Sequence, residues 1–174
     1  TKRRISIPFN SEDKYSEEIR NLMKNNWLWA FTGILYLPNK GDYIQDNPET
    51  RDGMPYIDES ELTRKLENTD PSVRFVPFGY QTGEMSSMEL ARNEFVIGLA
   101  GEEGAEQLAE VADRHEKKPY LRSFKSVDKP LTRVSALDSL WGFGRRLVVS
   151  GYRGILEDGC AFGVQDAPQA RTEK

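Results

Sequence analysis

The chain has 174 residues, and its 24 lysines and arginines against 28 aspartates and glutamates leave a formal charge of −4, which offers no basic excess for a phosphate backbone and argues against nucleic-acid partners. One cysteine, Cys160, and one histidine, His115, exclude an intrachain disulfide and a zinc site of the usual Cys/His kind, so no metal or cofactor is expected. A hydrophobic content of 37% supports a core, and no apolar run reaches the roughly 18 residues of a membrane helix; the expectation is a soluble, cytoplasmic, unprocessed protein with one domain over 1–164 and a flexible tail over 165–174.

In chain order, Ile5, Ile7 and Phe9 alternate with polar neighbours and predict a short strand ending at Asn10-Ser11. Tyr15, Ile19, Leu22 and Met23 share one helical face, and the apolar run from Trp27 to Leu37 predicts a buried strand. Gly41, Pro48, Gly53 and Pro55 punctuate the acidic stretch from Asn39 to Asp58, which reads as a long loop, a functional lid or an insertion packed by its own aromatics. A helix is expected over 59–67, with Asp58 and Glu61 at capping-box spacing and Leu62 and Leu66 facing inward. Val73 to Phe78 is strand-like, and Ser86 with Glu89 forms a capping box before Met88, Leu90 and Ala91.

Phe95 to Ala100 is an apolar run of strand length, and Gly101 to Gly104 turns it into a helix carrying Leu108, Val111, Ala112 and His115 on one face. Pro119 stops that helix, Tyr120 to Phe124 starts a strand, Val134 to Trp141 fits a helix, and Leu147 to Val149 with Cys160 to Val164 read as two strands of a hairpin. Taken together the elements predict an α/β fold: three layers around a mostly parallel central sheet of about six strands, finished by an antiparallel C-terminal hairpin. An α+β arrangement follows instead if Val73 to Phe78 pairs antiparallel with its neighbours.

The segment Ser86 to Ala105, followed by Lys118-Pro119-Tyr120, resembles a stretch shared by two Rossmann-like, nucleotide-handling groups: the nucleoside deoxyribosyltransferases and the lysine-decarboxylase-like phosphoribohydrolases. The opening from Arg4 to Pro38 is similar to the first β-α-β unit of the deoxyribosyltransferases, and Asn10 to Lys14 to the first loop of TIR domains. The resemblance implies a nucleotide or nucleotide-derived ligand at the C-terminal edge of the sheet, and the loops that follow the expected strands place Asn10 and Ser11, Gly79 and Tyr80, and Gly101 and Gly104 there to hold it. It departs at Leu108, which stands where both groups carry a catalytic glutamate, so catalysis is doubtful. Glu102 and Glu89 are the carboxylates that could substitute for it, although Glu89 also serves as the capping partner of Ser86.

Other candidates carry bland readings beside the functional ones. Asp42, Asp46, Glu49 and Asp52 could gather a hard cation or form a solvated acidic loop, and their spacing is not that of an EF-hand. His115 and Cys160 read as a packed histidine and a buried thiol, and Trp27, Trp29 and Phe31 as core or as a stacking surface. Arg145, Arg146 and Arg153 with Tyr152 are the local basic cluster suited to phosphate or carboxylate. The alternative function is a non-catalytic interaction module that presents the 39–58 loop and exposed aromatics to a protein partner.

Overall fold

A computed structural model describes residues 27–51, 54–138, 145–153 and 159–161, together with the helical positions Glu17 and Asn21. The strands are β1 (Trp27–Leu37), β2 (Gly41–Asp46), β3 (Thr50–Arg51), β4 (Met54–Pro55), β5 (Val73–Pro77), β6 (Gly83–Glu84), β7 (Tyr120–Arg122), β8 (Leu131–Asp138), β9 (Val148–Arg153) and β10 (Gly159–Ala161). The helices over the described residues are α1 (Glu59–Glu67), α2 (Ser87–Ala91) and α3 (Glu94–Ala112). The main sheet runs β5-β2-β1-β8-β9-β7-β6, with β10 pairing on β1 and a separate β3-β4 ribbon.

This curled sheet is mixed and mostly antiparallel, which corrects the expected three-layer, mostly parallel α/β fold. Only β7 with β9 and β1 with β10 run parallel among the described strands. β5 pairs antiparallel with β2, the condition under which an α+β arrangement follows. β9 lies between β8 and β7 while β10 pairs on β1, so the two strands expected to form a C-terminal hairpin do not pair with each other.

Three local differences account for the change. Residues 39–58 are not one long loop: Lys40 N–H donates to Leu37 O at 3.2 Å in a tight turn, and β2 then pairs with β1 along its length. Val134 to Asp138 belongs to β8, a central strand between β1 and β9, instead of opening a helix. Phe95 to Ala100, expected as a strand, is the first half of α3. The Asn93 side chain accepts from the N–H groups of Phe95 and Val96 at 3.1 and 3.4 Å and so satisfies two of the free donors at a helix start. An apolar run bounded this way is a buried helix. Gly101 then bends α3 at φ 76° and ψ 169°, a backbone conformation closed to most side chains. Beside the bend, the Arg74 guanidinium donates to Gly98 O and pairs with Asp46, placing a cation at the end of the first helical half.

Other local signals held: Trp27–Leu37 and Val73–Pro77 are strands, Glu59–Glu67 is a helix, and the caps are those expected. Asp58 accepts from Glu61 N–H at 2.8 Å, and Ser86 and Glu89 form a reciprocal capping box. In α1 Leu62 is buried, whereas Leu66 is exposed. The strand expected over 5–9, most of the helix after it and the tail over 165–174 lie outside the described residues.

Alternation along the strands divides the core. Ile34, Ile44, Val76, Leu121, Leu137 and Val149 meet Phe95, Val96, Leu99, Leu108 and Val111 of α3 on one face. Leu35, Leu37, Tyr43 and Val73 meet Leu62 of α1 on the other. Tyr36 and Asp42 are cross-strand partners on the α3 face, which puts a carboxyl group inside the larger core.

Candidate functional site

Asp42 is 0% exposed, and a carboxyl group in that position needs partners. Its Oδ2 lies 2.6 Å from the Tyr80 hydroxyl, while its Oδ1 has no partner among the described residues. The Tyr80 hydroxyl is also 2.8 Å from Ser123 Oγ and 3.2 Å from Phe124 O. Ser123 Oγ continues to the Tyr36 hydroxyl at 2.9 Å, and Tyr36 donates to Gly151 O at 2.8 Å. Four side chains from four separate stretches of the chain thus share one string of hydrogen bonds. Gly151 makes the last link possible, because a Cβ there would stand 2.5 Å from the Tyr36 hydroxyl.

Burial dominates the electrostatics. Removal from water pushes the Asp42 carboxyl up to about 7, opposed by the hydrogen bond from Tyr80. The hydroxyls of Tyr36 and Tyr80 are raised well above the ordinary phenol range by the same cause, with Asp42 beside them adding to the effect. Both tyrosines are therefore neutral hydrogen-bonding groups at any physiological pH.

Aromatic rings line the outer side of this string. Phe124 meets Tyr36 edge-on at 4.9 Å and stacks on Tyr152 at 4.5 Å with 24° between planes. Tyr152 is 53% exposed. Tyr80 stacks on Phe95 at 4.8 Å, which ties the cluster to the N-terminal turn of α3. The Arg133 guanidinium lies 5.9 Å from the Phe124 ring centroid, and one of its N–H groups donates to Thr132 O at 2.8 Å.

Of the residues expected to share a ligand, the described ones fall in different settings. Tyr80 belongs to the cluster, and Gly79 precedes it at φ 121° on the surface. Gly101 and Gly104 lie within α3, at its bend and one turn beyond, and not in a loop after a strand. Gly104 is buried, and Glu102 is exposed beside the bend. Glu89 is engaged with Ser86, whose N–H donates to it at 2.6 Å and holds its carboxyl below the usual range. Asn10 and Ser11 lie outside the described residues.

The acidic residues of the 39–58 stretch are likewise dispersed. Asp42 is buried, Asp46 pairs with Arg74 at 2.5 Å, Glu49 pairs with Arg51 at 3.5 Å, and Asp52 lies outside the described residues. No group of three metal-ligating side chains occurs among the described residues. Gln45, Asn47, Glu49, Tyr56, Asp58, Glu61, Leu62 and Lys65 line a cavity of about 120 Å³, well below the roughly 300 Å³ of an ordinary ligand pocket. At its edge Arg51 sits 3.4 Å over the Tyr56 ring. Of the basic cluster, Arg145 pairs with Glu116 and Arg146 with Glu84. His115 Nδ1 lies 3.0 Å from Val111 O, within its own helix.

No family model, curated protein or solved structure matches this chain. The resemblance to deoxyribosyltransferases and phosphoribohydrolases thus rests on the short segments quoted above, and the Rossmann-like architecture it implied is not the one observed. Among the described residues no helix is long and apolar enough to cross a membrane.

Tyr36, Ser123, Phe124 and Arg133 were not legible as site residues. Ser123 is 87 positions from Tyr36 and Gly151 is 115 positions from it, so no local spacing joins them. No local signal was available for Asp42 either: Tyr43 and Ile44 follow it, but it stands among the glycine, proline and acidic residues of the 39–58 stretch.

Proposed function

We propose that this protein binds a planar, nucleobase-bearing small molecule, a nucleoside or nucleotide derivative, on the Tyr152–Phe124 shelf beside the Tyr80–Ser123–Asp42 cluster. The observation that carries the reading is the half-exposed Tyr152 ring, backed by Phe124 and standing next to a polar cluster that is only part-buried at Tyr80 and Ser123. A base stacked on an aromatic side chain gains about 1–3 kcal/mol. The hydroxyls at its edge supply orientation, and the Arg133 guanidinium supplies positive charge for a phosphate or carboxylate. This site replaces the glycine-loop site at the C-terminal edge of a parallel sheet, which has no counterpart in the observed fold. The reading is of a binding protein: Asp42 is buried and engaged by Tyr80, and Glu102 and Glu89 lie elsewhere.

A thermal-shift series with nucleosides, nucleoside monophosphates and dinucleotides tests it. A ligand at 100 times its Kd adds about 2.7 kcal/mol of stability. Tyr152→Ala is expected to abolish that gain and to cost the unliganded protein only the stacking on Phe124, about 0.5–1.5 kcal/mol. If no compound shifts the parent protein, the reading fails, and the Arg51–Tyr56 surface becomes the site to examine for a protein partner.

A further inference from the structure

The string from Gly151 O to Asp42 holds four hydrogen-bond links: Gly151 O to Tyr36, Tyr36 to Ser123, Ser123 to Tyr80, and Tyr80 to Asp42. Each link needs one hydrogen. Tyr36, Ser123 and Tyr80 supply three, one per hydroxyl, and the backbone carbonyl supplies none. An ionised Asp42 supplies none either, which leaves one close oxygen–oxygen contact without a proton between its atoms. We infer that Asp42 is a neutral carboxylic acid in the folded protein, that its proton heads a one-way string running Asp42 to Tyr80 to Ser123 to Tyr36 to Gly151 O, and that ionisation opens the string at Ser123.

The position of the opening follows from the strength of the links. Tyr36 is fully buried, and its hydrogen is committed to Gly151 O. An ionised Asp42 makes a charge-assisted bond with the Tyr80 hydroxyl, the strongest in the set. The single remaining hydrogen, on Ser123, serves either Tyr36 or Tyr80 and leaves the other contact vacant. Phe124 O, at 3.2 Å the longest contact of the set, shares the Tyr80 hydrogen as the weaker arm of a bifurcated bond and so adds no hydrogen to the count.

The groups facing Asp42 agree with a neutral acid. Tyr36 faces it from β1, Tyr80 from the segment after β5, and Ser123, through Tyr80, from the segment after β7. Phe95 of α3 is apolar. Arg133 of β8 acts on Tyr36, and the Arg74–Asp46 pair lies farther along the same face with its charges matched. Among the described residues no cation is paired with Asp42. On the reading of the Tyr152 shelf as a base site, the vacant position at Ser123 accepts a ligand N–H, so the ionised protein prefers a ring with a donor edge.

Infrared difference spectroscopy and carbon NMR of the side-chain carboxyls test the inference on the intact protein. Below the midpoint near 7, at about pH 6, the parent is expected to show a protonated carboxyl C=O band that is absent in Asp42→Asn. Ser123→Ala and Tyr36→Phe each shorten the string so that an ionised Asp42 leaves no contact vacant. In both, the Asp42 midpoint is expected to fall by on the order of one pH unit. A parent midpoint near the ordinary 3.8, or midpoints unchanged in both variants as burial alone requires, overturns the inference. With adenosine as probe, affinity is expected to fall about tenfold for each pH unit below the parent midpoint, following the ionised fraction, while purine riboside, which lacks the amino donor, shows no such slope. Equal slopes for the two overturn the Ser123 opening. No binding by either probe counts against the base site and leaves the carboxyl titration to decide the string.

Discussion

Gly151→Ala is expected to lower stability by about 1–3 kcal/mol, read as a fall in the midpoint of urea denaturation with an unchanged slope. The added Cβ would stand 2.4 Å from Phe95 Cζ and 2.5 Å from the Tyr36 hydroxyl. Neither neighbour can retreat. Both are fully buried, Phe95 is stacked on Tyr80, and Tyr36 is held against Phe124. Relief by moving Tyr36 breaks its bond to Gly151 O and leaves a buried carbonyl unsatisfied. Phe95→Leu in the Gly151→Ala background opens space at the clash and is expected to return part of the loss, a positive coupling between neighbours in contact. A Gly151→Ala protein within 0.5 kcal/mol of the parent, the usual range for a neutral surface change, is the result that contradicts this packing.

The second large effect is on pH dependence. Asp42 titrates near 3.8 when unfolded and near 7 when folded. Between those values the native state holds a proton that the unfolded state has lost, so stability from this group falls as pH rises. The contribution is fully present below about 3.8 and is gone above about 7. Its size is on the order of a few kcal/mol. The carboxyls of Asp70 and Glu89, held low by hydrogen bonds, act in the opposite sense at lower pH, so the parent curve alone does not isolate Asp42. Asp42→Asn does: its amide N–H can still donate to the Tyr80 oxygen and carries no titrating proton. Across this window the variant is expected to lose the downward slope, overtaking the parent at the alkaline end. Parallel parent and variant curves would show that Asp42 titrates normally.

What could be read from the sequence was mostly what depends on neighbours a few residues apart. The caps at Asp58 and Ser86 are three-residue patterns and were legible as such. The Phe95–Ala100 run was not, because a buried helix and a buried strand look alike over six apolar residues. The deciding residue was Asn93, outside the run, whose side chain starts the helix and also donates to Gln81 O at 2.9 Å. Misreading that one segment as a strand supplied the centre of a parallel sheet, and the glycine-loop site followed from it.

Asp42 illustrates the opposite failure. Among glycine, proline and acidic residues it reads as part of a solvated loop, yet the tight turn at 38–40 sends it into β2, opposite Tyr36. Nothing local marks a carboxyl group for burial. Tyr80 was selected because it follows a strand. It belongs to the observed cluster for a different reason: its hydroxyl reaches Asp42 across 38 positions.

On the proposed function the Tyr152–Phe124 shelf and the Tyr80–Ser123 edge form one ligand site. Amide and aromatic chemical-shift mapping during an adenosine monophosphate titration bears on it most directly. The account predicts saturable shifts concentrated at Tyr80, Ser123, Phe124, Arg133 and Tyr152, lost in Tyr152→Ala. Shifts centred instead on Gly101 to Gly104 or on Arg51 and Tyr56, or no saturable shift at all, would contradict it.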